Sequence, residues 1–207
     1  MPRGAAPLPH NPEMSVPRIE TDRLVLRAFT AADRGPFAAM NTDPEVTAYM
    51  SRSLDRSASD LFLARIQEHW AVDGFGLWAI ERRDDGAFLG FAGLSAPSFE
   101  APFTPAVEVG WRLARSAWGH GYATEAGAAA LDHGFEVLGL AEVVSFTAAG
   151  NHRSRRVMER LGMTHDPADD FDYPLVPPGH LVRRQVLYRL ARETWAGRGR
   201  IPAEGEA

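Results

Sequence analysis

The chain has 207 residues, 45% hydrophobic and 24% charged, the make-up of one ordinary globular domain that can bury a core without disulfides or a structural metal. It has no cysteine and a formal charge of −5, which excludes a thiolate nucleophile and a cysteine zinc site and argues against general attraction to nucleic acid or anionic lipid. No lysine occurs either, so Schiff-base catalysis and a Walker-type lysine are also excluded. No apolar run approaches the roughly 20 residues of a membrane span, and Met1 to Val16 is proline-rich and polar where a signal peptide would be apolar. A cytoplasmic protein without membrane contact is expected.

Residues 1–17 and 193–207 lack hydrophobic periodicity and read as disordered ends around a single domain of residues 18–192. The first strand is Arg23–Arg27, where Leu24 and Leu26 alternate with their neighbours. Thr30 caps a helix carrying Phe37 and Met40, and Ser57 or Ser59 opens a second one with Leu61, Leu63, Ile66 and Trp70 near helical spacing. Gly74 ends it. Leu77–Glu81 and Phe88–Leu94, joined across Asp84-Asp85-Gly86, form a hairpin. After a proline-broken loop comes the strand Val107–Leu113, in which Gly110 suggests a bulge. Trp118 to Ala126 leads into an alanine-rich helix that runs to about Leu138 and stops at Gly139. Glu142–Thr147 is the next strand, and Asn151 caps a helix closed by Gly162. A polar stretch from His165 to about Arg184 precedes the last strand, Gln185–Leu190. The mixture of hairpins and strand–helix alternation implies an α/β or α+β fold, one sheet with helices on both faces.

The glycine segment carries the first chemical signal. A strand runs into Gly119 and Gly121 and then into a helix, whose first-turn amides have no internal partner. Such a turn binds anions through backbone N–H groups and the helix dipole, without lysine. An ordinary tight strand-to-helix turn would use the same glycines, and both readings stand on this segment alone. A Rossmann assignment is poor, because the motif lies past mid-chain and the following strand ends in Phe146-Thr147-Ala148 rather than an acidic residue.

Four motifs in order go further: Thr21-Asp22-Arg23-Leu24-Val25-Leu26-Arg27, Glu108-Val109-Gly110-Trp111-Arg112-Leu113, Trp118-Gly119-His120-Gly121-Tyr122-Ala123-Thr124-Glu125-Ala126, and Asn151-x-x-Ser154 with Glu159-Arg160-Leu161-Gly162-Met163. Over roughly residues 19–191 the chain resembles the GNAT superfamily of acyl-CoA-dependent N-acetyltransferases, most of all the branch with the ribosomal-protein acetyltransferases RimJ and RimL. The resemblance implies a mixed, mostly antiparallel sheet with a splayed, bulged strand and helices on both faces. It implies that acetyl-CoA binds with its pyrophosphate on the amides of Trp118, Gly119, His120, Gly121, Tyr122 and Ala123. Trp118 stands where the family pattern has Gln or Arg. Backbone groups of Trp111, Arg112 and Leu113 would pair with pantetheine, and Asn151 would hydrogen-bond the pantetheine arm, act as a plain helix cap, or do both.

Transfer to an amine needs two proton handlers, a base for the amine and help for the departing thiolate. By resemblance Glu108 is the base, with a solvated strand residue as the alternative. Many relatives place an acidic tyrosine where this chain has Met158, so Ser154 is the donor that is left. An N–H near Trp111–Leu113 would meet the oxyanion. His120 reads as a solvent-side loop residue and His133 as structural. His180, with Asp169, Asp170, Asp172 and Tyr173, belongs either to the acceptor site or to a solvated surface. Phe99, Phe103, Phe171 and Tyr173 could pack on a substrate or on one another. No H-E-x-x-H or G-x-S-x-G spacing occurs, so no metal is expected. The expected activity is acetyl-CoA-dependent N-acetylation of a protein N-terminus or small-molecule amine in a ternary complex, a homodimer being compatible with it. The competing class is a non-catalytic acyl-CoA sensor, which Met158 keeps open.

Overall fold

Period-two patterning and turn residues place nine strands in one sheet, described here over residues 16–197 of a computed structural model. The strands are β1 (Ile19–Glu20), β2 (Leu24–Arg27), β3 (Leu77–Arg82), β4 (Phe88–Ser95), β5 (Glu108–Leu113), β6 (Glu142–Ala148), β7 (Thr164–His165), β8 (Phe171–Asp172) and β9 (Arg184–Ala191). Their order is β1-β2-β3-β4-β5-β6-β9-β7, with β8 also on β9. Every pairing is antiparallel except β5 with β6, which are parallel and meet at one register pair, Glu108 with Val144. Beyond that point the two halves of the sheet diverge.

Helices cover both faces, as expected. The helices α1 (Arg34–Thr42), α2 (Pro44–Thr47) and α3 (Arg56–Asp73) precede β3. Phe37 of α1 and Phe62 of α3 set their rings 5.9 and 5.8 Å from Phe91 of β4. On the opposite face lie α4 (Tyr122–Asp132) and α5 (His152–Arg160). There Gly127 of α4 is small enough for Leu161 and Trp111 to approach: a Cβ on it would sit 2.9 Å from one Leu161 methyl and 3.7 Å from the indole. Leu24, Trp78, Ile80, Leu94, Leu131 and Leu161 are fully buried between these layers. Each such side chain contributes about 1.5–3 kcal/mol of transfer free energy, before the entropy of ordering is charged against it.

Local chemistry corrects two expectations, the cap of α3 and the bulge at Gly110, while the helical run to about Leu138 and the structural place of His133 are as expected. The cap of α3 is Asp55, whose Oδ1 accepts the Ala58 N–H at 2.8 Å. Ser57 is therefore only a first-turn residue, and Ser59 is buried beneath Asn41. The pairing of β5 with β4 runs in unbroken register from Glu108–Ser95 to Leu113–Gly90, so the splay is present without the bulge expected at Gly110 on that side. The α4 helix ends at Asp132 and widens into a π turn over His133–Val137, where Gly134 lies against Leu94 and Leu140. His133 turns its ring edge-on to Trp78 at 5.3 Å, and burial lowers its pKa.

The expected boundary at 193 falls inside α6 (Arg192–Ala196), whose Trp195 Nε1 donates to Asp132 Oδ1 at 2.8 Å. At the other end, the Pro17 carbonyl accepts from Trp78 Nε1 at 2.8 Å. Most of the two expected disordered ends lies outside the described residues. The polar stretch 165–184 is less open than its composition implies, because it holds β8 and buries Phe171, Val176 and Val182.

Candidate active site

Where β5 and β6 part, a cleft of about 990 Å³ opens, bordered by both strands, the N-termini of α4 and α5, and residues of α2 and α3. One wall is the turn into α4. Gly119 (φ +83°) and Gly121 (φ +76°) both adopt the left-handed conformation that side chains disfavour, and Gly121 is the N-cap. The Glu125 N–H bonds back to the Gly121 carbonyl, while the N–H groups of Tyr122, Ala123 and Thr124 precede the first helical bond and stay available to an anion.

A residue 102 positions away holds this turn, and sequence reasoning did not find it. Arg23 donates from Nε to Glu125 Oε2 at 2.7 Å and from NH1 to the His120 carbonyl at 2.9 Å. The Arg23 N–H and the Thr21 hydroxyl both donate to Glu125 Oε1. An acidic side chain in the first helical turn would compete with a bound anion, and Arg23 offsets its charge. The available signal was the motif Thr21–Arg27 itself. His120 is exposed, with its ring 5.5 Å from Tyr122, and only its backbone belongs to the turn. Trp118 donates its Nε1 hydrogen to the Leu113 carbonyl at 2.9 Å, and the guanidinium carbons of Arg115 and Arg153 lie 4.9 and 4.7 Å from the indole. Two arginines thus bring cationic charge to the position where the family pattern has Gln or Arg.

Along β5 the backbone alternates. The Ala114 N–H bonds to the Leu89 carbonyl, so the hydrogen-bonded pairs with β4 fall on Arg112, Gly110 and Glu108. The backbone of Arg112 is therefore committed to β4, against the expectation that it pairs with pantetheine. Trp111 and the Leu113 N–H face the open side, and the Leu113 carbonyl is already taken by Trp118. It is the Arg112 side chain that reaches the cleft.

Glu108 sits at the apex of the splay, half-buried. Burial pushes its carboxyl up to about 8, with a hydrogen bond from Ser95 opposing the shift. Tyr173 is close enough for the Glu108 charge to add to burial in raising its phenol pKa. Phe99, Phe103, Phe146, Phe171 and Tyr173 pack on one another, with Phe99 on Phe171 (6.0 Å) and Phe99 on Tyr173 (4.8 Å); Phe99, Phe146 and Tyr173 also line the cleft. His180 is exposed and its Nδ1 accepts from the Val182 N–H.

On the opposite wall Asn151 caps α5. Its Oδ1 accepts the Ser154 N–H at 3.3 Å, and its Nδ2 donates to Thr147 Oγ1 (2.9 Å) and Ser154 Oγ (3.0 Å). The amide of Asn151 is thus spent on the cap. Because Ser154 Oγ accepts that bond, its own hydrogen is directed elsewhere, and Ser154 borders the cleft. Met158, one turn further, is 2% exposed and packed in the core, and it too borders the cleft. Among the described residues, no group of three or more His, Asp or Glu side chains converges as a metal site, and no helix is long and apolar enough to cross a membrane.

Residues 23–164 match the family model for the acetyltransferase (GNAT) domain. Among curated relatives, the Aspergillus fumigatus FsC-acetyl coenzyme A-N(2)-transacetylase is 33% identical over 190 residues, covering 86% of this chain and 78% of its own length. An acetyltransferase from Agrobacterium tumefaciens superimposes with a TM-score of 0.69 at 29% identity, over 87% of this chain and 97% of its own. The ribosomal-protein-S5-alanine acetyltransferase of Vibrio fischeri shares the fold at 15% identity, with a TM-score of 0.68 over 87% and 99% of the two chains.

Proposed function

Because the chain belongs to the GNAT acetyltransferase family, we propose that it transfers acetyl from acetyl-CoA directly to a primary amine, with Glu108 as base and Ser154 as thiolate donor. The observation that carries this reading is a carboxylate with a raised pKa at the apex of a strand splay, in the same cleft as a turn built on two left-handed glycines, Gly119 and Gly121. The residues fit the cofactor: the turn offers backbone donors for a pyrophosphate, and the open edge of β5 offers Trp111 and the Leu113 N–H to an extended amide chain. Acetyl-CoA, when bound, supplies an acyl carbon activated as a thioester.

An amine attacks only when neutral, and a lysine-type amine with pKa about 10.4 is mostly protonated at pH 7. Glu108 takes the proton the amine must lose as its nitrogen bonds to the acyl carbon. A base of pKa about 8 is well matched to that task near neutrality. The hydrogen of Ser154, turned away from Asn151, stabilises the sulfur as the carbon–sulfur bond breaks. The sensor reading rested on Met158; an ionisable base and an available hydroxyl in one cleft favour turnover. The Thr21–Arg27 motif supports the RimJ/RimL-like branch, and the name of the Aspergillus relative, an acetyl coenzyme A-N(2)-transacetylase, supports transfer from acetyl-CoA to a nitrogen.

Calorimetry with CoA tests the reading. Wild-type protein is expected to bind at micromolar affinity or better. Gly121→Pro, which requires φ near −65° and removes a donor, is expected to abolish binding. Absence of heat and of thermal shift with the wild-type protein would overturn the proposal.

A further inference from the structure

The Arg112 guanidinium is a firmly held group in the cleft that the proposed chemistry does not use. It projects from β5 on the same face as Glu108, the side covered by α1 and α3, and stands 5.6 Å from the Phe62 ring and 5.2 Å from the Phe91 ring. Its NH1 donates to Asn41 Oδ1 at 2.6 Å, and Asn41 Nδ2 donates onward to Ser59 Oγ at 3.3 Å. Asn41 and Ser59 are almost completely buried. This chain fixes the guanidinium and contains no negative charge. The two carboxylates lining the cleft are placed elsewhere, since Glu45 pairs with Arg115 at 2.9 Å and Glu108 is four residues away along the strand. Burial moves the Arg112 guanidinium down to about 10, as expected of a desolvated cation with no counter-charge. Arg65, one wall away on α3, adds a second cation beside Phe62.

Resting on the acetyl-transfer reading, we infer that the acceptor is an anionic amine, whose carboxylate docks on Arg112 while its amino group faces Glu108. A planar guanidinium held by one neutral partner keeps its other N–H donors for a carboxylate, the anion it binds best. The Glu108 carboxylate lies over Gly110, between its own position and Arg112 on the same face of β5. A polyamine would place a cation against Arg112.

The test compares kcat/KM, by thiol release with acetyl-CoA, for 6-aminohexanoic acid, its amide and 1,5-diaminopentane. Wild-type enzyme is expected to favour 6-aminohexanoic acid over its amide by about 10- to 100-fold, the scale of hydrogen bonds to a charged group. It should favour that acid over the diamine as well. In Arg112→Gln the acid-to-amide ratio should fall to about one, and Arg112→Lys, which keeps the charge, should retain part of it. A wild-type ratio near one overturns the inference, and so does a preference that survives Arg112→Gln. Loss of CoA affinity in Arg112→Gln with the ratio intact also overturns it, because the guanidinium would then serve the cofactor. Should no amine be acetylated, the acetyl-transfer reading falls, and calorimetry of the acid and its amide against CoA-saturated protein decides the inference by the same ratio.

Discussion

Arg23, on the strand side of the sheet, grips the carboxylate of Glu125 at 2.7 Å in the first turn of α4 and so ties the anion-binding turn to β2. The same guanidinium donates to the His120 carbonyl between the two glycines. Arg23→Ala is therefore expected to raise the Kd for CoA about tenfold, the effect of one or two charged hydrogen bonds, and to change kcat much less. Arg23→Lys should recover part of the affinity. Calorimetry and the split between KM and kcat check it, and an unchanged Kd would assign Arg23 to folding alone.

Glu108→Gln should lower turnover by roughly 10²–10⁴-fold while CoA affinity stays within a few-fold, because only the amine proton is affected. The base works as a carboxylate, and burial places its pKa at about 8. Activity should consequently rise with pH below about 8 and level off above it, and this inflection should vanish in the variant. An acceptor with a low amine pKa separates the enzyme's inflection from the substrate's. A flat wild-type profile from pH 6 to 9 would remove Glu108 as the titrating base.

Ser154→Ala should cost about 1.5–3 kcal/mol in the barrier, or ten- to a hundred-fold in kcat, with KM for acetyl-CoA nearly constant. Replacing Met158 by tyrosine would restore the residue many relatives use. Met158 borders the cleft but is almost wholly buried against the core, so the larger ring is expected to overpack it at a cost of about 1–3 kcal/mol in stability. Met158→Tyr should then lose thermal stability whether or not it gains activity, which single-turnover kinetics beside a melting curve would read.

What was legible in the sequence is what depends on neighbours along the chain. The Gly121 turn, the Asn151 cap, the Gly74 stop and the hairpin around Gly86 each follow from residues within a few positions. The missed features depend on distance. Ser95 reaches Glu108 from the end of β4 and Tyr173 from the loop after β8, Arg23 meets Glu125 across 102 positions, and Asn41 meets Arg112 across 71. No local pattern encodes such meetings. The bulge failed for a different reason: Gly110 faces Gly93 in an unbroken ladder, and the splay arises because β6 leaves β5 after one pair.

The start of α3 shows the limit of local reading as well, since three residues able to cap, Asp55, Ser57 and Ser59, lie within five positions. Asp55→Ala should lower stability by about 1 kcal/mol, equivalent to roughly 2–4 °C in Tm for a chain of this size. Ser57→Ala, in the first turn and without the capping bond, should stay within about 0.5 kcal/mol. Thermal denaturation of the pair decides it, and the reverse order would return the cap to the serine.

The most direct test of the account is thiol release from acetyl-CoA, with the acetylated product weighed by mass spectrometry, for wild type and Glu108→Gln on the same panel of amines. The account predicts one acetyl added to an amine nitrogen per thiol released, lost by at least a hundredfold in Glu108→Gln at unchanged CoA binding. Thiol release that is independent of any amine, or transfer at equal rates by both proteins, would contradict it.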